Sequence, residues 1–351
     1  MEMTIRELAA ILGLSKSTVA YALRDLPMVS ARTRDFVRLR ARELGYIPNP
    51  VASAFLHQIR SQGSPGYRGN LAFLTRLHQG NDYLANLQNG ARKRAQELGY
   101  GLEIIDIGDY GSSRLTRLLQ ARGVLGVILG PLPRETGHMT LDWSKFASAT
   151  YGYSMVRPAV HRVVHHHFQG MQTAFRMCHR KGFRRIGLAM RIEADKRSNQ
   201  QWSSGYWGIQ HGLPEAEKVN PLLLSTPHFS AEKICEWIKN ERPDVIVFHD
   251  SNCVAKLCSL LKCPQESISC VVLDRKPHDL LAGIDQQFDL CGKVLVDSLS
   301  LQIFHNERGI PEFPIVSMMA GLWVDHPSLA LASSPSHLIS PRLKRTQKRK
   351  V

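Results

Sequence analysis

Apolar and polar positions along the first forty-odd residues alternate with helical spacing in three short stretches. Ile5, Leu8, Ala9 and Leu12 fall on one face, and Thr4 with Glu7 has the spacing of a capping box that opens a helix. Gly13 is free to adopt the left-handed conformation that ends it and turns the chain. Ser15 then caps a second predicted helix, Lys16 to about Leu23. Val19 and Leu23 lie on one side of it; Lys16, Ser17, Ala20, Tyr21 and Arg24 lie on the other. Ser30 caps a third, Ala31 to Leu44, with Val37, Ala41 and Leu44 inward and Arg32, Arg34, Arg38 and Arg42 outward, before Gly45 stops it. Three short helices with a small-residue turn between the first two predict a helix-turn-helix head. The polar face of the second helix carries groups that hydrogen-bond base edges and phosphates. A three-helix bundle with a merely solvated face is the alternative, and Lys16, Ser17 and Tyr21 beside flanking arginines weigh against it.

From about residue 69 the pattern changes to strand-length apolar runs alternating with helical patterns. Leu71–Leu74, Leu102–Ile107 and Val124–Leu129 read as strands, with a helix around Leu84, Leu87, Ala91, Ala95 and Leu98. Later come a helix Gly170–Lys181, a strand Ile186–Met190, a helix Ala231–Asn240 and strands Val245–Phe248 and Cys270–Leu273. Val124–Leu129 is apolar throughout, as in a parallel strand covered on both faces. Such alternation predicts an α/β body of doubly wound parallel sheets. Two similar segments, Glu97-Leu98-Gly99-Tyr100 and Arg180-Lys181-Gly182-Phe183, each close a helix just before a strand and suggest two comparable lobes.

Composition and charge sharpen this picture. With 351 residues the chain has room for a small head and a large body. An apolar share of 43% and a charged share of 21% are ordinary for a soluble domain. A net charge of +15, from 45 Lys+Arg against 30 Asp+Glu, favours an anionic partner, nucleic acid first. The seven cysteines form no CxxC pair and sit in apolar patterns, which suits thiols in a reducing cytoplasm better than disulfides. Neither a leader nor a bilayer-length apolar run is evident, so a cytoplasmic protein without membrane contact is expected. Phosphate loops, nucleophile elbows and paired carboxylates at recognisable spacing are also missing, so the chain is not expected to be an enzyme or to need a cofactor.

Thr4-Ile5-Arg6-Glu7-Leu8-Ala9, Gly13-Leu14-Ser15-Lys16-Ser17-Thr18-Val19, Val29-Ser30-Ala31-Arg32-Thr33-Arg34 and Leu44-Gly45-Tyr46-Ile47-Pro48-Asn49 closely resemble the LacI/GalR (lactose and galactose repressor) family, spacing included. In that family the positions matching Lys16, Ser17 and Tyr21 read bases. With them, Thr18, Arg24 and Ser30 complete the expected DNA-binding set of the head. The resemblance further implies that the hinge after Tyr46 folds on DNA as a short helix, begun by Asn49 and Pro50, and wedges an apolar side chain into the minor groove. The usual leucine wedge falls on Phe55, next to Leu56; packing of Phe55 against the body is the other role open to it.

The resemblance extends, more thinly, to a two-lobed periplasmic-binding-protein-like body with a ligand cleft, carried by Ile268–Asp274, Gly283-Ile284-Asp285-Gln286 and Trp323-Val324. The expected organisation is a head at 1–45, hinge and linker at 46–68, body at 69–330 and a basic tail at 331–351. Lobe one would take about 69–158 plus 290–325, and lobe two about 159–289. Effector contacts are expected from Asp274, Trp202, His165, His166 and Thr75. Asp274 has a turn role as its alternative, Trp202 a place in core or rim, and Thr75 a plain turn position. His165-His166-His167 is an unsuitable metal site, since adjacent residues do not converge on one ion; ligand contact and simple solvation both remain open. Gly130-Pro131 replaces a polar residue usual in the family, and Gln200-Gln201-Trp202, before Gly205-Tyr206, does not match the arginine usual there. The run Pro341–Lys350 is strongly basic, either a solvated end or a source of salt-sensitive DNA affinity.

The function implied is a dimeric repressor on a pseudo-palindromic operator in double-stranded DNA, modulated by a small molecule, a sugar being one candidate. A ligand-independent regulator is the alternative, and a sugar-binding or sugar-processing α/β protein a more distant one.

Overall fold

The computed structural model describes residues 5–23, 28–44, 67–76, 82–108, 110–133, 136–261 and 269–329. Thr4, Arg24, the hinge with Asn49, Phe55 and Leu56, Cys263 and the basic tail lie outside the described residues, as do the side chains of Ile5, Lys16, Ser17 and Ala20.

The head consists of helices Ile5–Leu12, Lys16–Leu23 and Ala31–Glu43. Gly13 adopts φ +64° between the first two, and the Thr18 amide donates to Ser15 Oγ at 3.0 Å, capping the second. Leu8, Ala9, Val19, Ala22, Val37 and Ala41 form the small core. Leu44, expected inward, is 38% exposed: the third helix stops at Glu43, and Leu44 occupies the cap beyond the inward stripe.

Two six-stranded sheets build the body. Gly69–Thr75 (β1), Tyr100–Asp106 (β2), Val124–Leu129 (β3), Ala147–Tyr151 (β5), His161–His165 (β7) and Val316–Met319 (β13) form the first; a two-residue strand, Gly137–His138 (β4), pairs with Met155–Arg157 (β6) beside it. Its order is β13-β7-β5-β3-β1-β2, parallel throughout. The second holds Ile186–Arg191 (β8), Leu222–Leu224 (β9), Val245–Phe248 (β10), Cys270–Val272 (β11), Ala282–Asp285 (β12) and Leu322–Val324 (β14). There the order is β14-β12-β11-β10-β8-β9, with β14 antiparallel to β12.

Each sheet is covered on both faces, because successive strand residues point to opposite sides. Leu71 and Phe73 of β1 join one cluster while Ala72 and Leu74 join another. In the second sheet Val245 and Val247 of β10 face one core, Ile246 and Phe248 the other. That is why these strands carry no polar alternation. The chain passes between lobes after β7, after β12 and between β13 and β14. β7, expected in lobe two, therefore belongs to the first sheet, and β14, expected in lobe one, closes the second. Apolar runs reveal a strand but not its neighbours, so both boundaries shift by one strand.

After β12, the long helix Phe288–His305 returns to lobe one and lies against helix Asp82–Glu97. Glycine permits the contact: a Cβ at Gly90 would sit 1.9 Å from the Asp289 carbonyl oxygen, and one at Gly292 would sit 2.0 Å from that of Leu87. Among the described residues no helix is long and apolar enough to cross a membrane.

Candidate functional site

Two regions carry the chemistry expected from sequence. On the head, Tyr21 is half-exposed and Thr18 pairs with Ser15, hydroxyl to hydroxyl at 2.8 Å. Ser30 is the cap of the third helix, accepting from the Thr33 amide at 3.2 Å, so its side-chain oxygen is already engaged in holding that helix. Arg34 is engaged as well, donating to the Val29 carbonyl at 2.8 Å, while Arg32 and Arg42 are exposed.

The second region is a cleft of about 320 Å³ between the lobes, at the carboxyl ends of the parallel strands where α/β folds place ligands. β7 delivers His165 to its lobe-one wall. His165 Nε2 shares a 2.7 Å hydrogen bond with the Tyr151 hydroxyl, and Cys291 Sγ lies 3.6 Å from His165 Nδ1. The Phe288 ring meets His165 edge-on at 4.9 Å and Tyr83 at 5.5 Å. Burial lowers the His165 pKa to about 4 and pushes the Tyr151 hydroxyl well above its ordinary value.

His167, at the start of helix His167–Arg180, enters from the crossover. Its ring rests on Trp202 with centroids 4.4 Å apart and planes at 48°. Burial, joined by the neighbouring histidines 165, 249 and 166, drives its pKa well below the usual histidine value. His167 Nδ1 is buried without a hydrogen-bond partner among the described residues. Trp202 itself is 1% exposed and closely backed by Gly170, where a Cβ would stand 3.0 Å from the indole ring. It supports His167 and has no open face to offer a ligand. The aromatic surface that does open on the cleft comes from Tyr83 and Phe288.

The charged groups of the lobe-two wall are engaged with protein. Arg197 donates to the carbonyls of Leu132 and Pro133 in lobe one, at 3.1 and 3.2 Å. Glu193 accepts from the amide and hydroxyl of Thr226 at 2.9–3.0 Å. Arg191 and His249 converge on Asp250, at 3.4 and 3.1 Å; burial opposes its charge, but these partners and the Cys253 amide hold its carboxyl well below the usual range. Asp274, just past β11, stands in the cleft with a carboxyl raised by burial against the opposing pull of His249. Further interlobe links are a hydrogen bond from Gln201 Nε2 to the Tyr153 hydroxyl at 2.6 Å and an ion pair of Lys276 with Asp82 at 3.6 Å.

Of the residues expected to meet an effector, the fold brings Asp274, His165 and Trp202 to the cleft and leaves out two. Thr75 is buried at the end of β1, its carbonyl bonded to the Ile107 amide. His166 faces away, its Nδ1 accepting from the Gln169 amide at 3.4 Å as a helix cap. His167 takes the place given to His166. β7 ends at His165 and the helix begins at His167, so the turn between them decides which histidine faces the cleft. Tyr83, Tyr151, Arg197, His249 and Phe288 were missed, since each comes from a different element. Among the described residues no cluster of His, Cys, Asp and Glu suits a metal ion.

The family profile described as "Bacterial regulatory proteins, lacI family" matches residues 4–49, spanning all three head helices. The head, residues 4–49, is thus similar to that of the lacI family. Its similarity to the HTH-type transcriptional regulator AglR of Rhizobium meliloti (strain 1021) is 46% identity over 52 residues, 15% of each protein's length. Over the whole chain the lacI-family likeness is one of fold. The lac repressor dimer bound to operator and the anti-inducer ONPF aligns with 94% of this chain and all of its own, at 17% identity and TM-score 0.53. The regulator CelR in complex with cellobiose aligns with 93% of this chain and all of its own, at 16% and 0.52. A LacI transcriptional regulator from Lactobacillus brevis covers 73% of this chain, at 14% and 0.54. A helix-turn-helix head on a two-lobed periplasmic-binding-protein-like body is therefore the architecture of this chain.

Proposed function

We propose that this chain is a lacI-family transcription regulator that binds a pseudo-palindromic operator as a homodimer and senses a small hydroxyl-rich molecule, a sugar first, in the interlobe cleft. The observation that carries this reading is the joining of a lacI-type head to a two-lobed body whose cleft, about 320 Å³, is lined by polar and aromatic groups. Lys16, Ser17 and Tyr21 read bases from the second helix, and exposed Arg32 and Arg42 hold phosphates. A relative of this fold binds operator as a dimer and another binds cellobiose, which supports the same two partners here. Operator symmetry mirrors protein symmetry, so two heads meet two half-sites. Work on operator DNA places the protein in the cytoplasm, and the cleft serves sensing rather than turnover. A ligand acts there by binding one interlobe arrangement better than another. Asp274, His165 and Trp202 take part from the cleft wall, the last through His167.

Selection of bound sites from random duplex DNA tests this reading, run with wild type, Lys16→Ala and Tyr21→Ala. A pseudo-palindrome whose defined positions relax in the variants is expected. Salt-sensitive binding with no enriched motif would sink the regulator reading, and turnover of a sugar by the purified protein would sink the sensor reading.

A further inference from the structure

The buried polar groups of a folded protein almost always find partners, so a buried ring nitrogen left alone needs an explanation. His167 is such a case. Its Nδ1 is sealed from solvent without a partner, and no described residue hydrogen-bonds either of its nitrogens. The ring nevertheless lines the cleft and is held in place from behind by Trp202, itself wedged against Gly170. A rigidly backed, unsatisfied imidazole at a cleft wall costs stability in the free protein. Recognition of a ligand offsets that cost.

The surroundings select the ligand's chemistry. Arg191 faces Asp250, Arg197 is engaged by the Leu132 and Pro133 carbonyls, and Glu193 is engaged by Thr226. Asp274 stands in the same cavity with a carboxyl already raised by burial, and an anion brought beside it would make its ionised form costlier still. An uncharged imidazole donates at one nitrogen and accepts at the other, the pattern that matches a hydroxyl.

We propose that His167 is a specificity-determining ligand contact, seated on Trp202, and that it selects an uncharged, hydroxyl-bearing ligand over phosphorylated or carboxylated analogues. This rests on the sensor reading above and adds both the residue and the ligand's charge.

The test uses the full chain and a fixed panel: glucose, cellobiose, sucrose, glucose 6-phosphate and glucuronate, each titrated by thermal shift. At least one uncharged sugar is expected to raise the melting temperature of wild type, and the two anions are not. His167→Phe keeps the ring on Trp202 and removes both nitrogens; its ligand-dependent shift is expected to need at least tenfold more sugar. His167→Asn places an amide near the Nδ1 position and is expected to recover most of the response. Without ligand, His167→Phe is expected to melt no lower than wild type, since it removes an unsatisfied polar group. A structural histidine would instead lower it. Preference for an anion, a full sugar response in His167→Phe, or no response of wild type to any of the panel each overturns the proposal. Operator selection is read separately on wild type, so the regulator reading survives or falls independently of these outcomes.

Discussion

Arg197, on the short helix Ile192–Arg197 of lobe two, donates to the carbonyl of Leu132 in lobe one at 3.1 Å and to that of Pro133 at 3.2 Å. The same side chain lines the cleft beside Tyr83, whose hydroxyl is raised by burial against the pull of this guanidinium. One residue thus joins the lobes and touches the cavity.

Arg197→Met keeps the aliphatic stem and removes the bridge. Hydrogen bonds made by a charged group contribute roughly 1.5–3 kcal/mol each when part-buried. The expected result is a larger radius of gyration in X-ray scattering and a melting temperature lower by a few degrees. An unchanged scattering curve would show that Gln201–Tyr153 and Lys276–Asp82 hold the lobes without it.

The crossing of helices Asp82–Glu97 and Phe288–His305 depends on two missing side chains. A Cβ at Gly90 meets backbone, the Asp289 carbonyl, which has little freedom to move aside. Gly90→Ala is expected to destabilise lobe one by about 3 kcal/mol or more. Gly208 is the contrast: it is exposed on helix Gln201–His211, and a Cβ there finds only the Phe168 ring at 3.9 Å. Gly208→Ala should stabilise by up to about 1 kcal/mol. Urea unfolding of both variants checks the pair, and equal effects would contradict the packing account.

Stability should carry the signature of His165. Burial lowers its folded pKa to about 4, while in the unfolded chain it titrates near 6.5. Between those values the unfolded chain binds a proton that the folded one refuses, so the contribution of His165 to stability falls as pH falls from about 6.5 toward 4 and changes no further below that. The loss amounts to at most about 3 kcal/mol. The groups against the ring are Tyr151, Cys291, Phe288 and His167, none of them anionic in this window. Unfolding measured at several pH values should show a shallower acid slope in His165→Gln than in wild type. Superimposable slopes would mean that His165 is not held neutral.

In the head, Ser30 is expected to act through its helix. Ser30→Ala removes the side-chain cap on the Thr33 amide and should cost about 1 kcal/mol, whereas Ser30→Asp should retain the cap. Hydrogen exchange in the third helix reads this directly, with protection of the Val37 and Ala41 amides falling several-fold in the alanine variant alone. Equal protection in all three proteins would return Ser30 to the role of a DNA contact.

Local features were legible because local rules govern them. Gly13 turning left-handed, Ser15 and Ser30 capping, and Val124–Leu129 or Val245–Phe248 running apolar as covered strands all follow from a few neighbouring residues. Elements with mixed character escaped. Ala147–Tyr151 and His161–His165 are central or near-central strands rich in small and polar residues, and helix Phe288–His305 mixes the buried stripe that meets its sheet and a neighbouring helix with apolar residues on its exposed side, Leu301 and Phe304. His166 was preferred over His167 for the same reason: adjacent histidines are chemically identical until the backbone decides which side each one faces.

The amino-acid sequence by itself determined the head, the lacI-type relationship, the α/β class and the presence of Asp274 and the histidines. These rest on spacing and side-chain type, which a linear chain displays in full. The tertiary structure alone decided the strand order, the exchange of β7 and β14 between lobes, and the meeting of Gly90 with Gly292's helix. It also decided that Trp202 lies beneath His167 and that Arg197 reaches Leu132. Those contacts join residues far apart along the chain, and they form only because two separate hydrophobic cores fold each lobe and the crossovers then bring their strand ends face to face.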